Sequence, residues 1–388
     1  MTAASPGVLM VTGAYYPQIS ASAVQCRAIA RALAGRVRFR VLATATDPTL
    51  PSRELVDGVP VHRVVVATQR RQSIGPVVAF ASQYFHAAAD VDLVHVHGVS
   101  QKNVIVAVLA AWTRKPLVLT LHTAGQDEPE VIRRRGRAAW WSFRRAARVV
   151  SVSARLTERY LAAGLPRDRL FEIPNGIDLE RFRPATAVER EALKRDLGFG
   201  GDRPLILFVG FFSRDKRPDL LFDAWTRLLV TRRAALAFVG ATGPSYGEID
   251  PGLIEALRER AIQMGIAAHV QFIDPTHEIE KYYRAADCYV LSSRREAMPL
   301  ALLEAMACGL PSIATRLAGV TDRIITDRED GLLFDGDDRA LAAALETVLG
   351  GPQWAAAVGA AARQTIVDRY GIDQVAEQWV ALYRSVLT

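Results

Sequence analysis

The chain has 388 residues, half of them hydrophobic and 23% charged, which is enough to bury two full cores. Its three cysteines, Cys26, Cys288 and Cys308, have no paired spacing, which argues against a disulfide framework or zinc site and for a reducing compartment. The net charge of +7 hides an asymmetry: residues 1–185 carry 25 Lys and Arg against 13 Asp and Glu, a net of +12, while residues 186–388 carry 23 against 28, a net of −5. The basic half therefore calls for an acidic partner or surface. No stretch approaches the roughly 18 uncharged apolar residues of a membrane-spanning helix. The opening MTAASPGVLMVTG lacks a positive leader region and reads as a first strand, so a cytoplasmic location is expected.

The first apolar run, residues 8–11, ends in Gly13-Ala14-Tyr15-Tyr16-Pro17. An apolar-periodic helix over about 21–34 and a strand over 38–43 follow, the β-loop-α-β opening of a doubly wound fold. Ser20 and Ser22 lie in that loop, where amides and hydroxyls suit an oxyanion; helix capping is the competing role. Residues 59–66 alternate like a strand and 76–89 read as a helix. Residues 91–97 form a buried strand ending at Gly98, then comes a helix over 103–112 and a strand over 117–121 that presents His122 and Thr123. Ligands of parallel sheets gather at the carboxyl ends of strands, so His97 and His122 are placed to touch substrate, with a structural role as the alternative.

Residues 133–148, RRRGRAAWWSFRRAAR, carry seven arginines around Trp140, Trp141 and Phe143. A basic helix of this kind suits an anionic membrane surface, and a solvated helix with its tryptophans turned inward is the alternative. No nucleic-acid-binding signature accompanies the charge, so no nucleic acid partner is expected. After a strand over 149–152, the turn residues Pro174-Asn175-Gly176 and Pro184 place a domain boundary near 185. The domains are then 1–184 and 185–388.

The second half restarts the alternation. Strands are expected over 205–209, 235–239, 270–273, 288–291, 312–314 and 332–334, with a helix over 217–230, which makes a second doubly wound sheet. Gly240-Ala241-Thr242-Gly243 is not a G-x-G-x-x-G fingerprint, which argues against a nicotinamide dehydrogenase. Asp335-Gly336-Asp337 reads as a turn after a strand. A final amphipathic helix over about 373–386 carries Trp379 and Tyr383.

Residues 296–315, EAMPLALLEAMACGLPSIAT, hold the densest chemistry. Pro299 begins a helix containing Glu304, and Gly309-Leu310-Pro311 ends it. Glu296 and Glu304 are then on the order of 12 Å apart if helical rise is assumed throughout. Free amides at the helix start suit a phosphate between them. Ribose, diphosphate and hexose are laid out in this way in a nucleotide sugar. A solvated helix residue and a loop acid are the plain alternative. The apolar flanks weigh against it, since they would bury an unpaired carboxylate.

This stretch resembles the E-x7-E segment of the retaining, nucleotide-sugar-dependent glycosyltransferases of family 4, with Ala297 where Gly is usual and Met298 where Phe is usual. Further likenesses are V-H-V-H-G at 94–98, P-N-G-I-D at 174–178, and Gly210 through Lys216 against the family's G-R-x-x-x-x-K-G. The resemblance implies a GT-B fold, two Rossmann-like domains facing across a cleft, with the last helix crossing back to the first domain. The first domain would bind the acceptor and the second the nucleotide sugar. It implies that Glu296 accepts hydrogen bonds from hexose hydroxyls, that amides around Met298 and Leu300 meet phosphate, that Glu304 binds the ribose hydroxyls, and that Lys216 holds the diphosphate. Phe211 stands where the family has its second cation, so either Arg214 or Arg217 supplies that charge or Lys216 acts with the helix start alone. By the same likeness His122 touches the transferred sugar, and the loop with Tyr16, Ser20 and Ser22, with His97 beside it, approaches the diphosphate or acceptor. His122, Glu296 and Lys216 are the catalytic residues so implied.

The expected activity is transfer of a hexose from a UDP- or GDP-linked donor to a hydroxyl acceptor, with retention and without metal or cofactor. The acceptor is expected to be lipid-linked and the enzyme peripheral at the membrane's inner face. A sugar epimerase or phosphorylase of the same fold, and a non-enzymatic basic adaptor, are the competing readings.

Overall fold

A computed structural model describes residues 5–66, 75–240 and 249–388. The tail of the GATG segment, residues 241–243, lies outside the described residues. The chain divides into two compact units. One comprises 1–176 and 372–388, and the other 177–371. The division thus falls at Gly176 and Ile177, ahead of the turn at Pro184, and residues 372–388 belong to the first unit.

The first unit holds strands β1 (Gly7–Thr12), β2 (Arg38–Ala45), β3 (Arg53–Val56), β4 (Val59–Val65), β5 (Leu93–His97), β6 (Leu117–Leu121), β7 (Arg148–Ser151) and β8 (Leu170–Glu172). They form one sheet in the order β3-β4-β2-β1-β5-β6-β7-β8, parallel except for β3, which returns antiparallel on β4. Strands β3 and β8 are not apparent from sequence periodicity, being three or four residues long. Helices α1 (Ala21–Ala32), α2 (Gly75–Ala87), α3 (Lys102–Trp112), α4 (Pro129–Arg134), α5 (Arg137–Arg144) and α6 (Ala154–Ala162) connect them.

The segment over 133–148 is therefore not one helix. Gly136 takes φ 112°, a backbone region closed to side chains with a Cβ, and splits it into α4 and α5. The final helix, Ile372–Leu387, packs on α1, burying Val375, Trp379 and Tyr383 in the same core as Val8, Met10 and Ile29. Gln25 of α1 clasps the P-N-G turn, its side-chain amide giving to and accepting from the Gly176 backbone at 3.0 Å each.

The second unit holds β9 (Leu205–Val209), β10 (Ala235–Val239), β11 (Val270–Ile273), β12 (Cys288–Leu291), β13 (Ser312–Thr315) and β14 (Leu332–Phe334), all parallel, in the order β11-β10-β9-β12-β13-β14. Helices α7 (Ala187–Asp196), α8 (Pro218–Leu228), α9 (Pro251–Gln263), α10 (Ile279–Ala285), α11 (Leu300–Ala307), α12 (Thr321–Ile324), α13 (Asp338–Gly350) and α14 (Pro352–Arg369) cover both faces. Two cores result, one under α10, α11 and α14 and the other under α8, α9 and α13. At the carboxyl end of the sheet, β9 and β10 close so tightly that a Cβ on Gly240 would lie 1.8 Å from the Gly210 carbonyl oxygen. Asp335-Gly336-Asp337 is a turn: Asp335 pairs with Arg316 at 2.9 Å, and the Asp337 carboxylate caps α13. Among the described residues no helix is long and apolar enough to cross a membrane. All three cysteines are free and buried.

Candidate active site

Lys216 follows β9 and Glu296 follows β12, and these strands are neighbours in the sheet. Parallel neighbours deliver their following loops to the same edge. There Lys216 Nζ lies 2.5 Å from Glu296 Oε1, with the Glu296 side chain only 8% exposed. The Ser292 hydroxyl lies within hydrogen-bonding distance of the carbonyls of Lys216 and Arg217, at 2.9 and 2.8 Å, and so ties the two loops together. Asp215 adds a second tie, pairing with Arg294 at 2.7 Å and also with Arg295.

Helix α11 begins after Pro299, which supplies no side-chain cap, so its first-turn amides near Leu300 are left for another acceptor. Ala297 is buried, and Met298 and Leu300 are partly exposed beside that helix start. Glu304 is buried, and Tyr283 donates to its Oε2 at 2.9 Å. Desolvation pushes the Glu304 carboxyl up to about 7, against the Tyr283 hydrogen bond. The hydroxyls of Tyr289 and Ser293, in the same unit, are buried without a hydrogen-bond partner among the described residues. Sequence reasoning missed Tyr283, Ser292 and Asp215, because each acts through a contact with the other loop or helix.

The four arginines around Lys216 separate by their partners. Arg214 is turned outward, its side chain 84% exposed and paired with Asp250 at 3.3 Å. Arg294 and Arg295 are held by Asp215. Arg217 is partly buried and has no carboxylate partner among the described residues. Gly210 ends β9, and Phe211 contributes no cation.

In the first unit, β5 and β6 are likewise neighbours, and their ends bring His97 and His122 together, His97 Nδ1 to His122 Nε2 at 3.0 Å. His95 stacks on His97 with ring centroids 3.9 Å apart, and hydrogen-bonds Thr120 at 2.7 Å and the Tyr383 hydroxyl of the final helix at 2.9 Å. Desolvation lowers all three histidines, His122 to about 4 and the other two well below their ordinary value, so the rings are neutral at pH 7. His97 Nε2 is buried without a partner among the described residues. Asp127, which sequence reasoning missed, accepts from the backbone amides of Val99, His122 and Thr123 at 2.7–2.8 Å and so shapes both histidine loops. Burial raises its carboxyl to about 6 even so.

Ser20 caps α1, accepting from the Ala23 amide at 3.1 Å, and Ser22 bonds Ser20 and Thr12 at 3.2 and 3.1 Å. Ser20 thus has the capping role that competes with oxyanion binding, while the Ser22 hydroxyl bonds the two neighbouring hydroxyls. The Tyr16 ring lies under the Arg27 guanidinium at 4.2 Å. Lys102, also missed, donates from Nζ to the Thr12 carbonyl at 2.6 Å.

Helices α4 and α5 turn Phe143 inward against Tyr160, with Trp140 stacked on it at 5.5 Å. Trp141 stays 43% exposed among the exposed Arg134, Arg137, Arg144 and Arg145. Helix α5 packs on α3, whose Trp112 is 76% exposed and meets the half-exposed Phe85 of α2 edge-on.

Two doubly wound units, the second with an acid–lysine pair and a buried second carboxylate on a helix, have the layout of a nucleotide-sugar-dependent class of enzyme. Residues 189–365 match the model of the glycosyl transferases group 1, and residues 22–181 that of glycosyltransferase family 4. The chain is 33% identical to the D-inositol 3-phosphate glycosyltransferase of Frankia alni, over 84% of this chain and 86% of that relative. It is 30% identical to D-inositol 3-phosphate glycosyltransferase 1 of Catenulispora acidiphila, over 90% and 87%. In fold it is similar to Anabaena HepE in complex with UDP and glucose, with a TM-score of 0.80, 19% identity, and 98% of this chain and 100% of that one covered. It is also similar to WaaG, a glycosyltransferase involved in lipopolysaccharide biosynthesis, with a TM-score of 0.71, 18% identity, and 97% and 99% covered. The chain belongs to the group 1 glycosyltransferases of family 4, GT-B enzymes that depend on nucleotide sugars.

Proposed function

We propose that this enzyme moves a hexose from a nucleoside-diphosphate donor, UDP- or GDP-linked, to a hydroxyl acceptor with retention of configuration and without a metal ion or cofactor, in glycan or glycolipid synthesis. The observation that carries this reading is the Lys216–Glu296 pair at 2.5 Å, eight residues ahead of the buried Glu304. In the free enzyme Lys216 neutralises Glu296. When donor binds, the ammonium meets the departing diphosphate and releases the carboxylate oxygens to hexose hydroxyls. Fixed cations and dipoles of this kind stabilise charge that develops on a leaving group. Glu304 and Tyr283 then face the ribose. The acceptor hydroxyl attacks from the side the leaving group vacates, and the departing phosphate oxygen takes its proton. Neutral His122 hydrogen-bonds the transferred sugar without adding charge. The UDP held by HepE supports a uridine donor, and the names of the curated relatives support a polyol phosphate among acceptors.

The test is a thermal-shift screen with UDP, GDP, ADP and dTDP, with and without Mg²⁺, since a ligand selective for the folded state raises its melting temperature. A shift by one nucleotide that needs no Mg²⁺ is expected. NMR of the product anomer then reads retention.

A membrane-associated acceptor is supported by a separate observation, the exposed Trp112 of α3 and Trp141 of α5, with exposed arginines on α4 and α5. Such a surface pairs apolar insertion with attraction to anionic headgroups. It fits an enzyme that works peripherally at a membrane's inner face.

A further inference from the structure

Side chains two apart on a strand point to the same face. His95 and His97 of β5 therefore share a face, beside Thr120 of β6 and His122 just past its end. The final helix covers that face, since its Val375 and Val380 lie in one core with Leu93 and Val118 of the same two strands. It also carries the rings of Trp379 and Tyr383 into the interior.

His95 is fully buried and is held at both nitrogens, Nε2 against the Thr120 hydroxyl at 2.7 Å and Nδ1 against the Tyr383 hydroxyl at 2.9 Å. The Trp379 ring lies 4.9 Å from it. A neutral imidazole donates from one nitrogen and accepts at the other, so two partners fix its plane. His97 is held at one nitrogen. Its Nδ1 meets His122 Nε2 at 3.0 Å, and its Nε2 has no partner among the described residues. The His95 ring packs against it with centroids 3.9 Å apart. The firmly held ring thus braces the loosely held one, and the loosely held one bears on His122.

We propose that His95 and Tyr383 are positioning residues for sugar transfer: the Tyr383 hydroxyl of the final helix holds His95, and His95 holds His97 and through it His122. This rests on the glycosyltransferase reading above, in which His122 meets the transferred sugar. A displacement of about 1 Å near reacting atoms can cost up to about 10²-fold in rate, so bracing a ring at this remove affects turnover.

The test uses the full chain and three variants. Tyr383→Phe removes one bond to His95 and Thr120→Val the other, each with little change of shape. Val380→Ala, buried on the same helix, controls for lost packing. Proton NMR of the protein labelled with ¹⁵N-histidine reads the imidazole N–H between His97 and His122, identified by its absence from His97→Ala. That signal is expected to shift or broaden in Tyr383→Phe and Thr120→Val and to persist unchanged in Val380→Ala. Release of nucleoside diphosphate from UDP-glucose or GDP-mannose, measured on the folded fraction, gives kcat and KM. In the first two variants kcat is expected to fall about fivefold with KM unchanged. Adding Tyr383→Phe to His97→Ala is expected to slow the enzyme no further, since both act along one chain of contacts. An unchanged N–H signal, an unchanged kcat, or independent effects in the double variant each overturn the proposal. A wild type that binds no nucleoside diphosphate overturns the glycosyltransferase reading itself, and the NMR comparison reads the coupling separately.

Discussion

His97 Nδ1 and His122 Nε2 share one proton across 3.0 Å, and both rings are neutral. The bond couples the tautomer of His122 to that of His97, and so bears on what the His122 ring offers a sugar hydroxyl from its other side. Replacing His97 by Ala leaves the tautomer of His122 unset. Turnover is expected to fall about tenfold, with donor affinity unchanged. Steady-state kinetics beside calorimetric donor titration measures this, and Asn, which keeps a hydrogen-bonding group, should restore part of the loss.

The same ring sets a pH dependence of stability. In the unfolded chain His122 takes up a proton as the pH falls below 6.5, and in the folded protein only near 4. Its contribution is thus present above pH 6.5 and is lost as the pH falls through 4. Glu304 runs in the opposite sense, since its carboxyl is raised from 4.5 to about 7. That contribution is present below pH 4.5 and is lost as the pH rises through 7, on the order of 3 kcal/mol in all. Denaturant melts at pH 4.5, 6 and 7.5 should therefore show Glu304→Gln flattening the decline on the alkaline side. A Glu304→Gln profile parallel to wild type would mean that the carboxyl titrates normally.

Asp127 accepts three backbone amides from two loops, so its loss strands three donors in the interior. Asp127→Ala is expected to lower stability by about 2–4 kcal/mol. Activity should fall further than stability explains, because the His122 amide is among the three. Urea denaturation and activity measured on the folded fraction separate the two effects.

Lys216→Met removes the partner of a nearly buried carboxylate and the cation facing the diphosphate. Transfer is expected to drop at least 10²-fold. A Lys216→Met, Glu296→Gln double variant should recover stability relative to Lys216→Met, since no charge is then left unpaired, and should recover no activity. Melting temperatures and initial rates of the three proteins test this.

The exposed arginines and tryptophans of α3 to α5 predict binding to vesicles containing anionic lipid, weakening as salt rises. Sedimentation with phosphatidylserine vesicles should retain the wild type at low salt. Trp112→Ser combined with Trp141→Ser should release it, and neutral vesicles should fail to retain either. Recovery of the wild type in the supernatant at low salt would remove the membrane reading.

Much of this was legible along the chain. Alternating apolar runs and their Gly and Pro punctuation located most of the strands and the helix around Glu304, because periodicity and turn chemistry are carried by adjacent residues. The segment at 133–148 was misread as one helix, since its composition is helical throughout and the break rests on the single backbone angle of Gly136. Ser20 and Ser22 carry two readings of equal local quality, and the capping bond to Ala23 is visible only for Ser20 in the folded chain.

The sequence by itself determined the two doubly wound sheets, the pair of acids eight residues apart, and the lysine that ends the first strand loop of the second half. Tertiary structure alone decided that Lys216 meets Glu296 across 80 residues of chain, that His97 meets His122, and that Asp127 joins their loops. The reason is strand order. A parallel sheet places the loops of spatial neighbours together, β9 beside β12 and β5 beside β6, and that adjacency is a property of packing rather than of any local stretch of residues.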